Sequence, residues 1–166
     1  MRKGFTLIEM MISITILSII MLFLYKSYAE LNLSNKTYKT SLESLKKFEL
    51  VKKVIYLDLS LASSIKILKQ DKRYDIVFLQ SMHSIHDRIN PYIAYIFKDN
   101  HLYRLESLYP FTEYPLGVES DFVADDLGKV EVFRIYPHKS DKTFFVIHVK
   151  FQKKDEIVLK VKALNI

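Results

Sequence analysis

Few residues in this chain have the type and spacing to do chemistry. His83-Ser84-Ile85-His86-Asp87 could bring two imidazoles and a carboxylate to one cation. Third and fourth ligands are not evident, and no Glu completes a metalloprotease helix, so a solvated loop is the plainer reading. Asp121, Asp125 and Asp126 could offer oxygens to Ca²⁺, but the EF-hand spacing is absent. No metal and no cofactor is therefore assigned. The chain has 0 Cys, which removes disulfides and thiol chemistry, and only 3 Gly, which removes a Gly-rich phosphate loop. The serines lack a nucleophile elbow, and no nucleophile–base pair emerges from spacing, so no catalytic residue is assigned and an enzyme is not expected. What remains is Glu9. It is the only charge in residues 5–25, and a carboxylate inside an apolar run is costly unless it finds a partner. Gly4 and Phe5 stand just before it, behind the basic pair Arg2 and Lys3.

The elements around these residues follow from periodicity. Residues 5–25 are apolar apart from Glu9, and as a helix they rise about 31 Å, the hydrocarbon thickness of a bilayer. From Lys26 to Leu61 the pattern turns amphipathic, with Leu31, Tyr38, Leu42, Leu45, Phe48, Val51, Ile55 and Leu59 at helical steps. Pro appears only from Pro91 onward, so one long helix is expected, its second half covering something on one side. Strands are expected at 65–68, 75–80, 92–97, 102–105, 130–136, 144–151 and 157–163. Lys98-Asp99-Asn100-His101, with Asp and Asn tolerating turn geometry, reads as the connection of one hairpin and residues 152–156 as that of another, while residues 107–128 read as a long loop. The fold class is α+β: a long N-terminal helix, with its membrane-spanning half first, packed on an antiparallel sheet. Leu42, Leu45, Phe48 and Ile55 are expected to face that sheet, including its strands 144–151 and 157–163.

The net charge of +6 includes Arg2 and Lys3, so basicity elsewhere is modest. The 11 Tyr and 11 Phe could stack on bases among the lysines, but most alternate with polar residues in strands and read as core. Direct nucleic-acid binding is not expected. Ser27-Tyr28-Ala29 satisfies the small-x-small rule of ordinary signal peptidase, which would release a protein beginning at Glu30. A Glu within the apolar approach argues against that route. Arg2 and Lys3 favour a cytoplasmic N-terminus, and a long C-terminal domain crosses largely regardless of Lys26, Lys36 and Lys39.

Residues 3–9 read Lys-Gly-Phe-Thr-Leu-Ile-Glu. This string resembles the type III signal of prepilins, and the long helix behind it extends the likeness to type IV pilins and pseudopilins. The resemblance implies a prepilin peptidase cut after Gly4, N-methylation of Phe5, and pairing of Glu9 with the Phe5 amine of a neighbouring subunit. Physical reasons accompany each step. Gly lets an extended backbone lie close in a protease cleft, and an ion pair is stronger in a low-dielectric helix bundle than in water.

The same resemblance implies an organisation of leader 1–4, transmembrane and filament-core helix 5–25, and periplasmic or extracytoplasmic α+β pilin-like domain 26–166. Anchoring would be in the bacterial inner (cytoplasmic) membrane by a single pass. The implied role is a minor pilin or pseudopilin, a structural subunit of a type II secretion pseudopilus, a type IV pilus or a DNA-uptake pseudopilus, in its initiating or tip complex. Partners would be the prepilin peptidase, other pilins or pseudopilins, and the inner-membrane assembly platform. The lack of Cys separates the chain from Gram-negative major pilins with a C-terminal disulfide, and Glu9 separates it from K-class tip pseudopilins. Residues 90–107 are similar to a strand–turn–strand region of J-type minor pseudopilins. The competing reading is a signal-anchored or secreted extracytoplasmic binding domain that does not polymerise.

Overall fold

The computed structural model describes residues 6–117, 121–138, 140–141, 143–152 and 156–166. Contacts divide the chain into two compact units, Met1–Phe48 and Glu49–Ile166. A single helix, α1 (Leu7–Ser60), supplies the described part of the first and opens the second.

In the first unit nothing interrupts the helix because no Gly or Pro occurs there after Gly4. Its hydroxyls are satisfied locally. Ser13, Thr15 and Ser18 donate to the carbonyls of Glu9, Met11 and Ile14 at 2.7, 2.8 and 2.8 Å, which leaves an apolar exterior. The expected lipid-compatible span is thus helical, and it is exposed on all sides.

The second unit holds the core. Seven antiparallel strands follow in simple meander order: β1 (Ala62–Lys69), β2 (Asp75–Ser81), β3 (Tyr92–Lys98), β4 (His101–Ser107), β5 (Phe122–Pro137), β6 (Phe144–Phe151) and β7 (Glu156–Lys162). The β3–β4 hairpin closes through Asp99 and Asn100, whose φ values of 52° and 64° are those of a two-residue primed turn. β5 is the long strand. Its first half pairs with β4 and its second half with β6. The second half then returns towards β2, where Tyr74 bridges Phe133 and the Phe133 amide donates to the Arg73 carbonyl at 3.0 Å. The meander is therefore curled, and after β7 the Leu164 amide donates to the Ser60 carbonyl at 2.9 Å.

Alternation assigns the faces. Ile76, Phe78, Ala94, Ile96 and Leu105 form one layer, covered by Phe111, Tyr114 and Leu116 from the segment after β4. The other face carries Tyr95 and Arg104, which meet Asp58 in the last turns of α1. Both faces are covered, which explains why β2 and β3 read as unbroken apolar runs rather than alternating ones.

Two expectations are corrected. Leu42 and Leu45, expected to be buried, are 54 and 59 % exposed, as are Leu31 and Tyr38 at 62 and 69 %. Burial on α1 begins at Val51 and continues through Val54, Ile55 and Leu59, with Phe48 only half-buried. Helical periodicity marks a face, not what covers it. The expected loop 107–128 is also too long, because Phe122 to Lys129 pair with β4. Acidic residues and Gly128 disguised that strand. Gly128 sits at φ 116°, where the register slips between Leu102 and Tyr103 and leaves Leu127 as the extra, buried residue of a bulge.

Candidate functional site

Gly4 and Phe5 lie outside the described residues. Glu9 lies within them, in the first turn of α1. Thr6 precedes the helix, and its amide and hydroxyl both donate to Glu9 Oε2 at 2.9 Å. In return the Glu9 amide approaches Thr6 Oγ1 at 3.4 Å. Thr6-Leu7-Ile8-Glu9 is thus a capping box, in which helix-end amides and a carboxylate satisfy one another. The side chain that looked stranded in an apolar run has a local role at the helix start. Its neighbours along the helix apart from Thr6 are apolar, and Leu7, Ile8, Met10 and Met11 are each more than half exposed. Helix in residues 7–25 rises about 28 Å, enough to cross most of a hydrocarbon layer.

A second constellation lies in the core of the other unit. Arg104 has no exposed surface, and nor do Asp58 and Glu106. The guanidinium forks onto Asp58, with Nε to Oδ2 at 2.7 Å and Nη2 to Oδ1 at 3.2 Å, while Nη1 reaches Glu106 Oε2 at 2.6 Å and Asp125 Oδ2 at 3.5 Å. Tyr95 donates its hydroxyl to Asp58 Oδ2 at 2.5 Å. The segment between β2 and β3 closes the network. His83 Nδ1 meets Asp58 Oδ1 at 2.5 Å, and the Ser84 hydroxyl and Ile85 amide donate to Glu106. His86 Nε2 lies 3.0 Å from Asp125 Oδ2, and Arg88 donates to the Glu106 carbonyl at 2.9 Å.

The electrostatics follow from this geometry. Burial works against the charged guanidinium, yet the hydrogen bonds and charge of Asp58, with Tyr95 and Glu106, hold Arg104 above the ordinary arginine range. Burial and the adjacent Asp58 charge push the Tyr95 phenol well above 10.0, so it stays a donor. For Glu106 burial favours the neutral acid, but the Ser84 hydroxyl, Arg104 and the Ile85 amide outweigh it and lower the carboxyl below its usual value. A fully paired network of this kind ties α1, β3, β4, β5 and the 82–91 segment together.

The sequence-derived candidates separate accordingly. His83 and His86 turn to different carboxylates rather than to one centre, and Asp87 sits at φ 56°. Asp125 joins the Arg104 network, whereas its neighbour Asp126 pairs with His101 at 2.9 Å and Asp121 is exposed. Among the described residues no group of three or more His, Asp or Glu forms a metal cage. Asp58, Tyr95, Arg104 and Glu106 escaped sequence reasoning, although a signal was present. Asp58 interrupts the apolar stripe between Ile55 and Leu59, and Arg104 and Glu106 share the inward face of β4 with buried Leu102.

Comparison with known proteins bears on the first constellation. Residues 1–25 match the family model described as the prokaryotic N-terminal methylation motif. Comparisons with curated proteins and with solved structures found no significant match. The motif at residues 1–25, with a long apolar N-terminal helix followed by an antiparallel sheet, gives the chain a layout similar to that of type IV pilins.

Proposed function

We infer that the chain is a minor pilin or pseudopilin that is cut between Gly4 and Phe5, methylated at Phe5 and assembled through its N-terminal helix. The observation that carries this reading is the methylation motif over residues 1–25, continuous with a helix whose apolar surface is exposed on all sides. A helix apolar all round is a membrane span or the core of a bundle, and a filament subunit occupies both in turn. Residues 1–4 are the leader, residues 5–25 the membrane and filament-core helix, and residues 26–166 the extracytoplasmic domain, with the N-terminus cytoplasmic. The capping box gives Glu9 a partner before assembly, and the Phe5 amine of a neighbouring subunit replaces it afterwards. The role is in the initiating or tip complex of a type II secretion pseudopilus, a type IV pilus or a DNA-uptake pseudopilus, where the assembly platform and other pilins are its partners.

Fractionation tests this. In cells with the prepilin peptidase, the protein is expected in the inner membrane and, as a minor component, in the sheared filament fraction. In cells lacking the peptidase it should remain in the membrane, uncut and absent from filaments. A soluble extracytoplasmic form, or filament incorporation without the peptidase, would contradict the proposal.

A further inference from the structure

The part of α1 between the apolar run and Phe48 carries a stripe of large exposed side chains. Tyr28, Leu31, Tyr38, Leu42 and Leu45 are 66, 62, 69, 54 and 59 % exposed. Together with Asn35 they step along the helix by three and four residues in strict alternation. Over roughly two and a half heptads this is the 3.5-residue spacing of a helix facing another helix, with the exposed Leu33 off the seam. Tyr28, Asn35 and Leu42 occupy a positions, and Leu31, Tyr38 and Leu45 occupy d positions. Asn35 alone breaks the apolar seam, and an Asn at one a position fixes register and strand number in two-stranded coiled coils.

The flanks say which helix faces it. The e positions hold Asn32, Lys39 and Lys46, and the g positions above them hold Ser27, Ser34 and Ser41. A second copy in parallel would set lysines against serines and gain no ion pair. An antiparallel copy would set lysines against lysines. A partner with Asp or Glu at its g positions meets Lys39 and Lys46 with opposite charge. The seam also continues directly from the apolar run of residues 7–25, so a partner following it outward from the membrane runs parallel.

We propose that residues 28–45 form one strand of a parallel two-stranded coiled coil with the juxtamembrane helix of a different pilin-like subunit, which carries an Asn in register with Asn35 and acids facing Lys39 and Lys46. This rests on the subunit reading above and narrows it to a class of partner.

Cysteine crosslinking of the full-length chain in its native membrane tests the seam, and the absence of native Cys makes it clean. Single cysteines replace Leu31, Tyr38 or Leu42 on the seam, and Leu33, Thr40 or Lys47 on the opposite side. Each variant is co-expressed in turn with each other pilin-like subunit of the same cell and with a second copy of this chain. Every partner carries one cysteine at the matching distance from its own cleavage site. Disulfide formation should peak at the seam positions with one acidic-flanked partner and be absent from the opposite side. Lys39→Glu with Lys46→Glu should lower that yield about tenfold, because two attractions become two repulsions. Crosslinking without this periodicity, strongest on the opposite side, or at least as heavy between two copies as with any other subunit would overturn the proposal. N-terminal analysis of the same membranes separates the two claims. Periodic crosslinks on a chain not starting at Phe5 refute the processing reading alone, and aperiodic crosslinks on a chain starting at Phe5 refute the seam alone.

Discussion

Asp58→Ala should be among the most damaging single changes in the second unit. The carboxylate takes both prongs of the Arg104 fork at 2.7 and 3.2 Å, the Tyr95 hydroxyl at 2.5 Å and His83 at 2.5 Å. Its removal leaves a fully buried guanidinium with Glu106 as its main counter-charge, and the Tyr95 hydroxyl with no acceptor in the network. Breaking a buried pair by deleting one member costs about 3–5 kcal/mol, against a total stability of about 5–15 kcal/mol for a domain. In a soluble fragment beginning at Leu31, urea unfolding followed by circular dichroism should show a midpoint lower by about 2 M. Asp58→Leu combined with Arg104→Met should cost less than the sum of the single changes, since it removes both charges at once. A loss under about 1 kcal/mol for Asp58→Ala, or simple additivity in the double variant, would refute the view that this network clamps α1 to the sheet.

Glu106 makes the same unit acid-sensitive. Its carboxyl lies below the usual 4.5 in the folded state, so its contribution is full above that value and disappears as pH falls through the lowered one. Glu106→Gln should flatten the decline in stability below pH 4.5, measured as urea midpoint against pH, and an unchanged slope would contradict the assignment. Ile55 is fully buried, so Ile55→Ala should cost about 2–5 kcal/mol, whereas Leu42→Asp, at an exposed position, should change the fragment's unfolding free energy by less than about 0.5 kcal/mol. Glu9→Val should leave membrane insertion and cleavage intact while reducing co-purification with partner pilins, because the Phe5 amine of the neighbour is then buried without its carboxylate. Full partner binding by Glu9→Val would remove the assembly role.

How much of this was legible depends on whether the relevant force is local. The helix, the Asp99-Asn100 hairpin and the strands at 75–80 and 144–151 follow from periodicity and turn chemistry, which act over a few residues. The first half of β5 did not, because its pairing with β4 is decided across the sheet and its Asp125 and Asp126 mimic a loop. The sequence pattern identified the apolar face of residues 31–45, which is exposed, because periodicity marks a face without saying what covers it. The Arg104 network was missed because its members are spread from Asp58 to Asp125 and meet only once the meander curls. Glu9 was legible as a charge out of place, and the Thr6-x-x-Glu9 spacing before an apolar run is a capping-box signature that went unread.

Mass spectrometry of the mature protein purified from cell membranes tests the central claim most directly. The account predicts an N-terminal peptide beginning at Phe5 and carrying one added methyl group on its amine. A chain beginning at Met1 in peptidase-competent cells, or one beginning at Glu30, would contradict it.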